Sequence, residues 1–133
     1  MNENNPALIA GRNSWACVHA KDRESWLALM ADDVVIEDPI GVSPLDPKGK
    51  GHRGLEAAAR FWDRNIGPNT IVIEPHKSFT AGDEVAHLLT LTTTLPSGLA
   101  VRVHGIFTYR VNEAGKITNL RGFWEMSDIE MVQ

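Results

Sequence analysis

The sequence predicts an α+β fold in which helices pack on one side of a strongly curved, mostly antiparallel sheet. Helical patterns occupy the first half of the chain, and strand patterns separated by turns fill the region after residue 69. Helices segregated from an antiparallel sheet in this way are typical of α+β domains. A bent sheet with helices across its mouth leaves a concavity, and ligand pockets are usually concave apolar sites. We therefore expect three helices and the sheet to enclose an apolar pocket.

Three segments have the residues that begin and support helices. Asn5-Pro6 combines an N-cap residue with a proline at the first helical position, which predicts a helix from there to about Ala20. Asp22 is a suitable cap for a second, short helix, whose buried side is expected to carry Trp26, Leu27, Leu29 and Met30. Residues 55–66 form a third helical pattern with apolar side chains on one side.

Strands are predicted from β-branched runs and alternating patterns. Residues 34–36 form a short early strand between the second and third helices. Four later strands are expected over residues 70–79, 84–95, 99–111 and 116–126. Alternation with a period of two over 99–111 indicates one buried face and one wetter face. Because no repeat or linker interrupts the chain, we expect a single domain over residues 1–133.

Composition excludes several classes of partner. Apolar residues make up 43% of the 133 residues, which fits a globular protein, and the formal net charge is −4. With no large cluster of Lys or Arg, nucleic acid and anionic membranes are poor partners. No apolar stretch approaches the ~20 residues of a membrane span. The lone Cys17 allows no internal disulfide and fits a reducing compartment, so we expect a cytoplasmic protein.

Asp38 is the residue whose setting is most suggestive of chemistry. It follows an apolar strand and precedes Pro39, which favours an extended backbone at Asp38. A carboxylate beside apolar residues has a raised pKa because its charged form is poorly solvated. Such a group acts as a general base near neutral pH. The alternative is an Asp that caps the following turn through its side chain, which is the commoner role for local features of this kind.

A resemblance favours the chemical role. The segment 26–41, which ends in Glu37-Asp38-Pro39-Ile40-Gly41, resembles the ketosteroid isomerases of the nuclear-transport-factor-2-like, or SnoaL-like, superfamily. Further similar segments are residues 54–62, 114–117 and 121–124. The resemblance implies a cone-shaped barrel around an apolar pocket, and it places the catalytic Asp of that family on Asp38.

The oxyanion hole of that family is not matched. In ketosteroid isomerases a Tyr and a protonated Asp hold the dienolate while the catalytic Asp moves the proton. Here Ser14 stands in place of the Tyr, with Trp15 beside it, and Phe107 stands in place of the second acid. Losing one oxyanion donor typically costs ~10²–10³ in rate. The sequence therefore predicts weak isomerisation unless other donors substitute.

Several side chains are candidates for that substitution and for the pocket wall. The candidate donors are the Ser14 and Tyr109 hydroxyls and the indole N–H groups of Trp15 and Trp62. His87 shares its strand face with two leucines, which predicts that it reaches the pocket. The predicted substrate-binding set is Ser14, Trp15, Phe61, Trp62, His87, Phe107, Tyr109 and Trp124. Core packing would use the same residue types, so the sequence does not separate the two roles.

Metal and cofactor chemistry find no support in the sequence. The five His residues show no paired ligand spacing, and Cys17 has no Cys or His partner at motif distance. The glycine-rich segment 49–54 lacks both the preceding strand and the pattern of a phosphate loop. We therefore expect neither a metal nor a cofactor.

The functional hypotheses follow from the resemblance. The first is a steroid delta-isomerase-like enzyme that moves a double bond in a 3-ketosteroid or similar polycyclic ketone by proton transfer through Asp38. The alternatives are a non-catalytic steroid- or lipid-binding protein, a polyketide cyclase-like enzyme, an epoxide hydrolase with an Asp–Arg–Asp set, and a protein-binding adaptor. The resemblance also implies a small apolar ligand and a homodimer. The semi-polar outer face that would form the dimer carries Arg102, His104, Thr108 and Arg110.

Overall fold

The structure is a computed structural model that describes residues 1–132. Its helices are α1 (Pro6–Ala20), α2 (Arg23–Ala28) and α3 (Leu55–Phe61), which continues into a π-helical turn (Trp62–Ile66). Its strands are β1 (Met30–Glu37), β2 (His52–Arg53), β3 (Thr70–Ala81), β4 (Glu84–Thr94), β5 (Ala100–Val111), β6 (Ile117–Phe123) and β7 (Glu130–Val132). A single 3₁₀ turn (Met126–Asp128) precedes β7.

The helix starts are set by the predicted caps. The Asn5 side chain accepts hydrogen bonds from the backbone N–H groups of Ala7 and Leu8, and Pro6 occupies the first turn of α1. The Asp22 side chain accepts from Ser25 N and so begins α2. The third predicted helix changes form near its end. Gly67 N donates to the Trp62 carbonyl five residues earlier, and this wide turn makes the last segment π-helical.

One open sheet contains all seven strands. Its order is β2-β1-β6-β5-β4-β3. Strand β7 pairs with residues 100–102 of β5, whereas β6 pairs with residues 106–111 of the same strand. Strands β3 to β6 form an antiparallel meander, whereas β1 runs parallel to β6. The α+β prediction is therefore confirmed, with three helices on a mostly antiparallel sheet that does not close on itself. The two- and three-residue strands β2 and β7 were not predicted, because segments this short carry no periodic pattern.

The early strand is longer than its β-branched run. It begins at Met30, which the helical pattern had placed on the buried side of α2, and its register is irregular between Met30 and Val35. Met30 is buried and pairs with Ile117 on β6. The apolar side chain therefore fits both interpretations, and pairing with a strand distant in sequence decides between them.

The helices cover the concave side of the sheet. Helix α1 packs against β3, β4 and β5, while α3 packs against β1 and β2. The core therefore lies between the helices and the inner face, and part of this space stays open as a cavity. No helix within residues 1–132 is long and apolar enough to cross a membrane.

Candidate active site

A cavity of about 480 Å³ opens between the helices and the inner face of the sheet. Its size falls within the range of roughly 300–1,000 Å³ that is usual for small-molecule sites. Aliphatic and aromatic side chains supply most of its wall. Among the described residues that line it, Asp38 is the only charged side chain.

The position of Asp38 is fixed by β6 and the segment that follows it. Asp38 comes directly after β1, and the Trp124 indole Nε1–H donates to its Oδ1 at 2.8 Å. Ile40 N donates to the Gly122 carbonyl at 3.0 Å, which holds the chain after Asp38 against the end of β6. A Cβ at Gly122 would lie 2.6 Å from Asp38 Oδ1 and 3.0 Å from Trp124 Nε1. Gly122 therefore makes room for the carboxylate and its donor.

The surroundings of Asp38 make it a stronger base. Although the residue is only partly buried where it opens on the cavity, loss of water around the carboxylate raises its pKa from 3.8 to about 6. The Trp124 hydrogen bond opposes this shift because it stabilises the ionised form. At neutral pH the carboxylate is thus mostly ionised and still basic enough to take a proton.

The same shift predicts a dependence of stability on pH. Because the pKa of Asp38 is higher in the folded state than in the unfolded chain, protonation of Asp38 stabilises the folded state. This stabilisation is complete below about pH 4 and is lost as pH rises through about 6. This rise of the Asp38 pKa from 3.8 to about 6 corresponds to about 3 kcal/mol. Asp38→Asn should therefore raise the free energy of unfolding at pH 8 by up to ~3 kcal/mol and change it little at pH 4. Urea unfolding at both pH values measures the difference.

The exposed carboxylate of Asp33, also on β1, offers a matched control. Asp33→Asn should leave stability nearly unchanged at both pH values, because an exposed carboxylate loses little hydration on folding. An equal gain for Asp38→Asn at pH 4 and pH 8 would contradict the assigned cause of its raised pKa.

Two hydroxyl groups lie in the cavity wall and are oriented by indoles. Trp15 Nε1–H donates to the Tyr109 hydroxyl at 3.0 Å, and Trp26 Nε1–H donates to Ser14 Oγ at 3.2 Å. Both hydroxyl residues are buried and line the cavity. A hydroxyl that accepts from an indole still has its own O–H to donate. The arrangement therefore provides two neutral donors in an apolar surrounding.

Tyr109 is held in its protonated form. Burial is the main cause that raises the pKa of Tyr109 above its ordinary value, and the negative charge of Asp38 adds to it. The hydrogen bond from Trp15 and the nearby Ser14 hydroxyl work in the opposite direction without reversing the shift. Tyr109 is therefore a hydrogen-bond donor throughout the neutral pH range. Its hydroxyl is close enough to Asp38 for the negative charge to affect the Tyr109 pKa.

Six of the eight predicted substrate-binding residues line the cavity together with Asp38. They are Ser14, Trp15, Phe61, Phe107, Tyr109 and Trp124. The Trp15 N–H is directed to Tyr109 and the Trp124 N–H to Asp38, so these two indoles position other groups. Phe107 contributes an apolar wall at the position where the resemblance implied a second acid.

The predictions for Trp62 and His87 are corrected, since neither lines the cavity. Trp62 lies behind Trp26, with the two rings 5.3 Å apart, and Trp26 forms the wall in front of it. His87 shares its strand face with cavity residues, but α1 covers it at Gly11, where a Cβ would lie 3.1 Å from His87 Nε2. Burial, and to a lesser extent the charge of Arg12, lower the pKa of His87 to about 4. It is therefore a neutral core residue.

Several cavity residues were missed by the sequence patterns. Trp26 was interpreted as part of the helix core. Gly122 was given no role, although an isolated Gly within a strand often marks a close approach. Polar residues from loops also line the cavity, namely Ser43, Asn65 and Asn69. Loop residues have no periodicity that would assign them to a face.

The cavity offers little to other chemistries. Within residues 1–132, no three His, Cys, Asp or Glu side chains form a group that could hold a metal ion. Nor does any Arg occur among the described residues lining the cavity, so the Asp–Arg–Asp set of an epoxide hydrolase is not assembled there.

Comparisons with known proteins agree with this geometry. Residues 12–120 match the SnoaL-like domain family. The structure superposes on a Δ5-3-ketosteroid isomerase from Mycobacterium sp. with a TM-score of 0.93 and 49% identity, covering 96% of this chain and 99% of that one. No curated protein matches the chain.

Two further similar structures contain or target steroids. RV0760c from Mycobacterium tuberculosis, solved in complex with estradiol-17beta-hemisuccinate, is 50% identical with a TM-score of 0.93, over 96% of this chain and 99% of that one. A computationally designed 17-OHP binder is 46% identical with a TM-score of 0.94, over 97% of this chain and 100% of that one. The family match spans most of the chain, and the fold and cavity agree with it. The protein belongs to the SnoaL-like domain family.

Proposed function

We propose that the protein is a steroid delta-isomerase-like enzyme that moves a carbon–carbon double bond in a 3-ketosteroid or similar polycyclic ketone. The observation that carries the proposal is Asp38, which Trp124 holds and which is the only carboxylate among the described residues that line a mostly apolar cavity. A raised pKa of about 6 suits Asp38 to removing and returning a proton. The similar Δ5-3-ketosteroid isomerase supports this choice of substrate class.

The proposed reaction needs only groups of this chain and the substrate. The Asp38 carboxylate removes a proton from the carbon between the ketone and the double bond, and the electron pair moves onto the ketone oxygen to give a dienolate. The protonated Asp38 then delivers the same proton to the far carbon of the former double bond. The ketone re-forms, now conjugated, and Asp38 regains its charge, so neither a metal nor a cofactor is required.

Tyr109 is the group that we propose for stabilising the dienolate. Its hydroxyl accepts from Trp15, which leaves the O–H free to donate to a substrate oxygen. Ser14, oriented in the same way by Trp26, is the second donor. Donors that are already oriented in an apolar site stabilise developing charge without reorganising. This pair would replace the Tyr and Asp that the related enzymes use.

The direct test is turnover. The purified protein is mixed with a β,γ-unsaturated 3-ketosteroid, and the ultraviolet absorbance of the conjugated product is followed. Turnover that depends on Asp38 supports the enzyme. Tight steroid binding by calorimetry with no turnover would instead favour the steroid-binding alternative, for which the complex of RV0760c and the designed 17-OHP binder are precedents.

Trp124 should set the pH dependence of this turnover. Since the reaction needs ionised Asp38, kcat/KM should rise with pH around a midpoint near 6. Trp124→Phe removes the N–H that stabilises the carboxylate, so the midpoint should move to higher pH and the rate at pH 6 should fall. Trp62→Phe, at a buried indole outside the cavity, is the matched control and should leave the midpoint unchanged. An unshifted midpoint in Trp124→Phe would contradict this role.

We also propose that the outer face of the sheet forms a homodimer. Leu88, Ile106 and Phe123 are paired in register across β4, β5 and β6, and each is nearly half exposed, at 45%, 48% and 48%. An apolar row of this kind on an otherwise semi-polar face favours burial against a second copy. Sedimentation equilibrium tests this assignment.

A cytoplasmic location stays a prediction that the lone Cys17 favours.

A further inference from the structure

A second, smaller pocket lies behind the wall of the cavity. It has a volume of about 50 Å³ and is lined by Leu45, His52, Ala57, Arg60, Phe61 and Arg64. Leu45 and Phe61 also line the cavity that contains Asp38, so these two apolar side chains separate the two spaces. The other four residues do not line the cavity and take no part in the proposed proton transfer.

One face of the third helix supplies most of this pocket. Ala57, Arg60, Phe61 and Arg64 follow the spacing i, i+3, i+4, i+7, which brings side chains to one side of a helix. Arg60 lies in the last turn of α3, and Arg64 lies in the π-helical turn that continues it. The two side chains therefore reach the same small space from successive turns.

Arg60 and Arg64 form no ion pair within residues 1–132. Asp63, which precedes Arg64 in the chain, instead pairs with Arg23 at 2.9 Å. Like charges four residues apart on a helix repel each other, and an anion between them would remove that repulsion. Both arginines are exposed, so an anion has access to them from solvent.

His52 adds a third polar group from another element. It lies on β2, and its ring packs against the Phe61 ring with the two centres 5.0 Å apart. Burial is the main cause that lowers the pKa of His52, although the Asp46 carboxylate opposes it. The charges of Arg64 and Arg60 add to the lowering, which agrees with their position beside the imidazole. His52 is therefore neutral at pH 7 and has one ring N–H to donate.

The size and the donors of the pocket select its ligand. A volume of about 50 Å³ is far below the roughly 300–1,000 Å³ of sites for whole organic ligands, so the pocket fits one small group. Guanidinium groups bind oxyanions through charge-assisted hydrogen bonds. A phosphate or sulfate group has at least three acceptor oxygens that point in different directions, so it meets donors from three chain segments better than a planar carboxylate does.

We propose that Arg60 and Arg64, together with His52, bind a phosphate or sulfate group at this pocket. The group is either a free ion or the terminal group of a larger molecule, and the recognition chemistry is the same for both. The site lies outside the Asp38 cavity, and the inference does not depend on the proposed isomerisation.

The probe is inorganic phosphate, and backbone amide chemical shifts of the purified protein report its binding. A titration at pH 8 replaces sodium chloride by sodium phosphate at constant ionic strength, so that general screening stays constant. Amides around residues 45–64 should shift along a saturating curve. Arg60→Gln and Arg64→Gln should each weaken binding by about 10-fold, as expected when one charge-assisted hydrogen bond is lost.

Phenyl phosphate separates the two sources of the group. At pH 8 it carries the same doubly charged phosphate with an organic body attached. Tighter binding of phenyl phosphate than of inorganic phosphate, lost in Arg60→Gln, would assign the site to the terminal group of a larger molecule. Equal or weaker binding would assign it to the free ion. Both results support the oxyanion site.

Arg53→Gln is the matched control. Arg53 is an exposed arginine on β2 whose Nε donates to the Lys50 carbonyl, and it does not line the pocket. This variant removes the same charge from the same region and should bind phosphate as tightly as the wild-type protein. Because all three substituted side chains are exposed, each variant should fold, which circular dichroism checks. Shifts that do not saturate, or an equal loss of affinity in Arg53→Gln, would overturn the site.

Discussion

Asp38→Asn is expected to lower kcat for a β,γ-unsaturated 3-ketosteroid by about 10²–10⁴-fold, the usual contribution of a positioned general base. Asparagine has nearly the same size, and its amide oxygen still accepts from the Trp124 N–H, but it takes up no proton at neutral pH. KM should therefore change little while kcat falls. Steady-state kinetics followed by ultraviolet absorbance separate the two constants.

The control for this variant is Asp33→Asn, at an exposed carboxylate of the same strand. It should retain the wild-type rate, and both variants should give the wild-type circular dichroism spectrum. Retention of more than about a tenth of kcat in Asp38→Asn would contradict its role as the base, given the magnitude of general-base catalysis.

Tyr109→Phe is expected to lower kcat by about 10²–10³-fold, the usual effect of removing one oxyanion donor. The aromatic ring and its packing persist, while the O–H that would bind the dienolate oxygen is gone. The buried Trp15 N–H also loses its acceptor, so some loss of stability accompanies the change. Kinetics of Tyr109→Phe at a pH well above 6 isolate the donor effect from the ionisation of Asp38.

Two readouts distinguish a donor role for Tyr109 from a structural one. Ser14→Ala should reduce kcat less than Tyr109→Phe, and a reversed order would assign the main donor to Ser14. Tyr109 is the only tyrosine of the chain, so alkaline ultraviolet titration reports its pKa alone. Ionisation at the ordinary pH of a tyrosine would contradict the buried, protonated donor described here.

The sequence predicted those parts of the fold that depend on interactions between residues close together in the chain. Asn5-Pro6 and Asp22 begin helices because caps act within one turn. Asp38 could be singled out because its apolar strand and the following proline are adjacent in sequence. The short strands β2 and β7 depend on tertiary pairing, and no local sequence pattern predicted them or the π-helical end of α3.

The candidate site was only partly predictable, because its key contacts join distant residues. The bond from Trp15 to Tyr109 spans 94 positions, and the bond from Trp124 to Asp38 spans 86. Periodicity assigned Tyr109 to the buried face of β5 but did not identify the group that orients its hydroxyl. The same limit explains the correction at His87, whose strand face was predicted but whose cover by α1 was not.

Transfer of a hydrogen isotope tests the central claim most directly, namely that Asp38 moves one proton between two carbons of a single ligand. The substrate is a β,γ-unsaturated 3-ketosteroid that carries deuterium on the carbon between the ketone and the double bond. After conversion in ordinary water, mass spectrometry and proton magnetic resonance locate the label in the product. The account predicts product with deuterium at the far carbon of the former double bond, and no such product with Asp38→Asn. Unconverted, fully labelled substrate after prolonged incubation with the wild-type protein would contradict it.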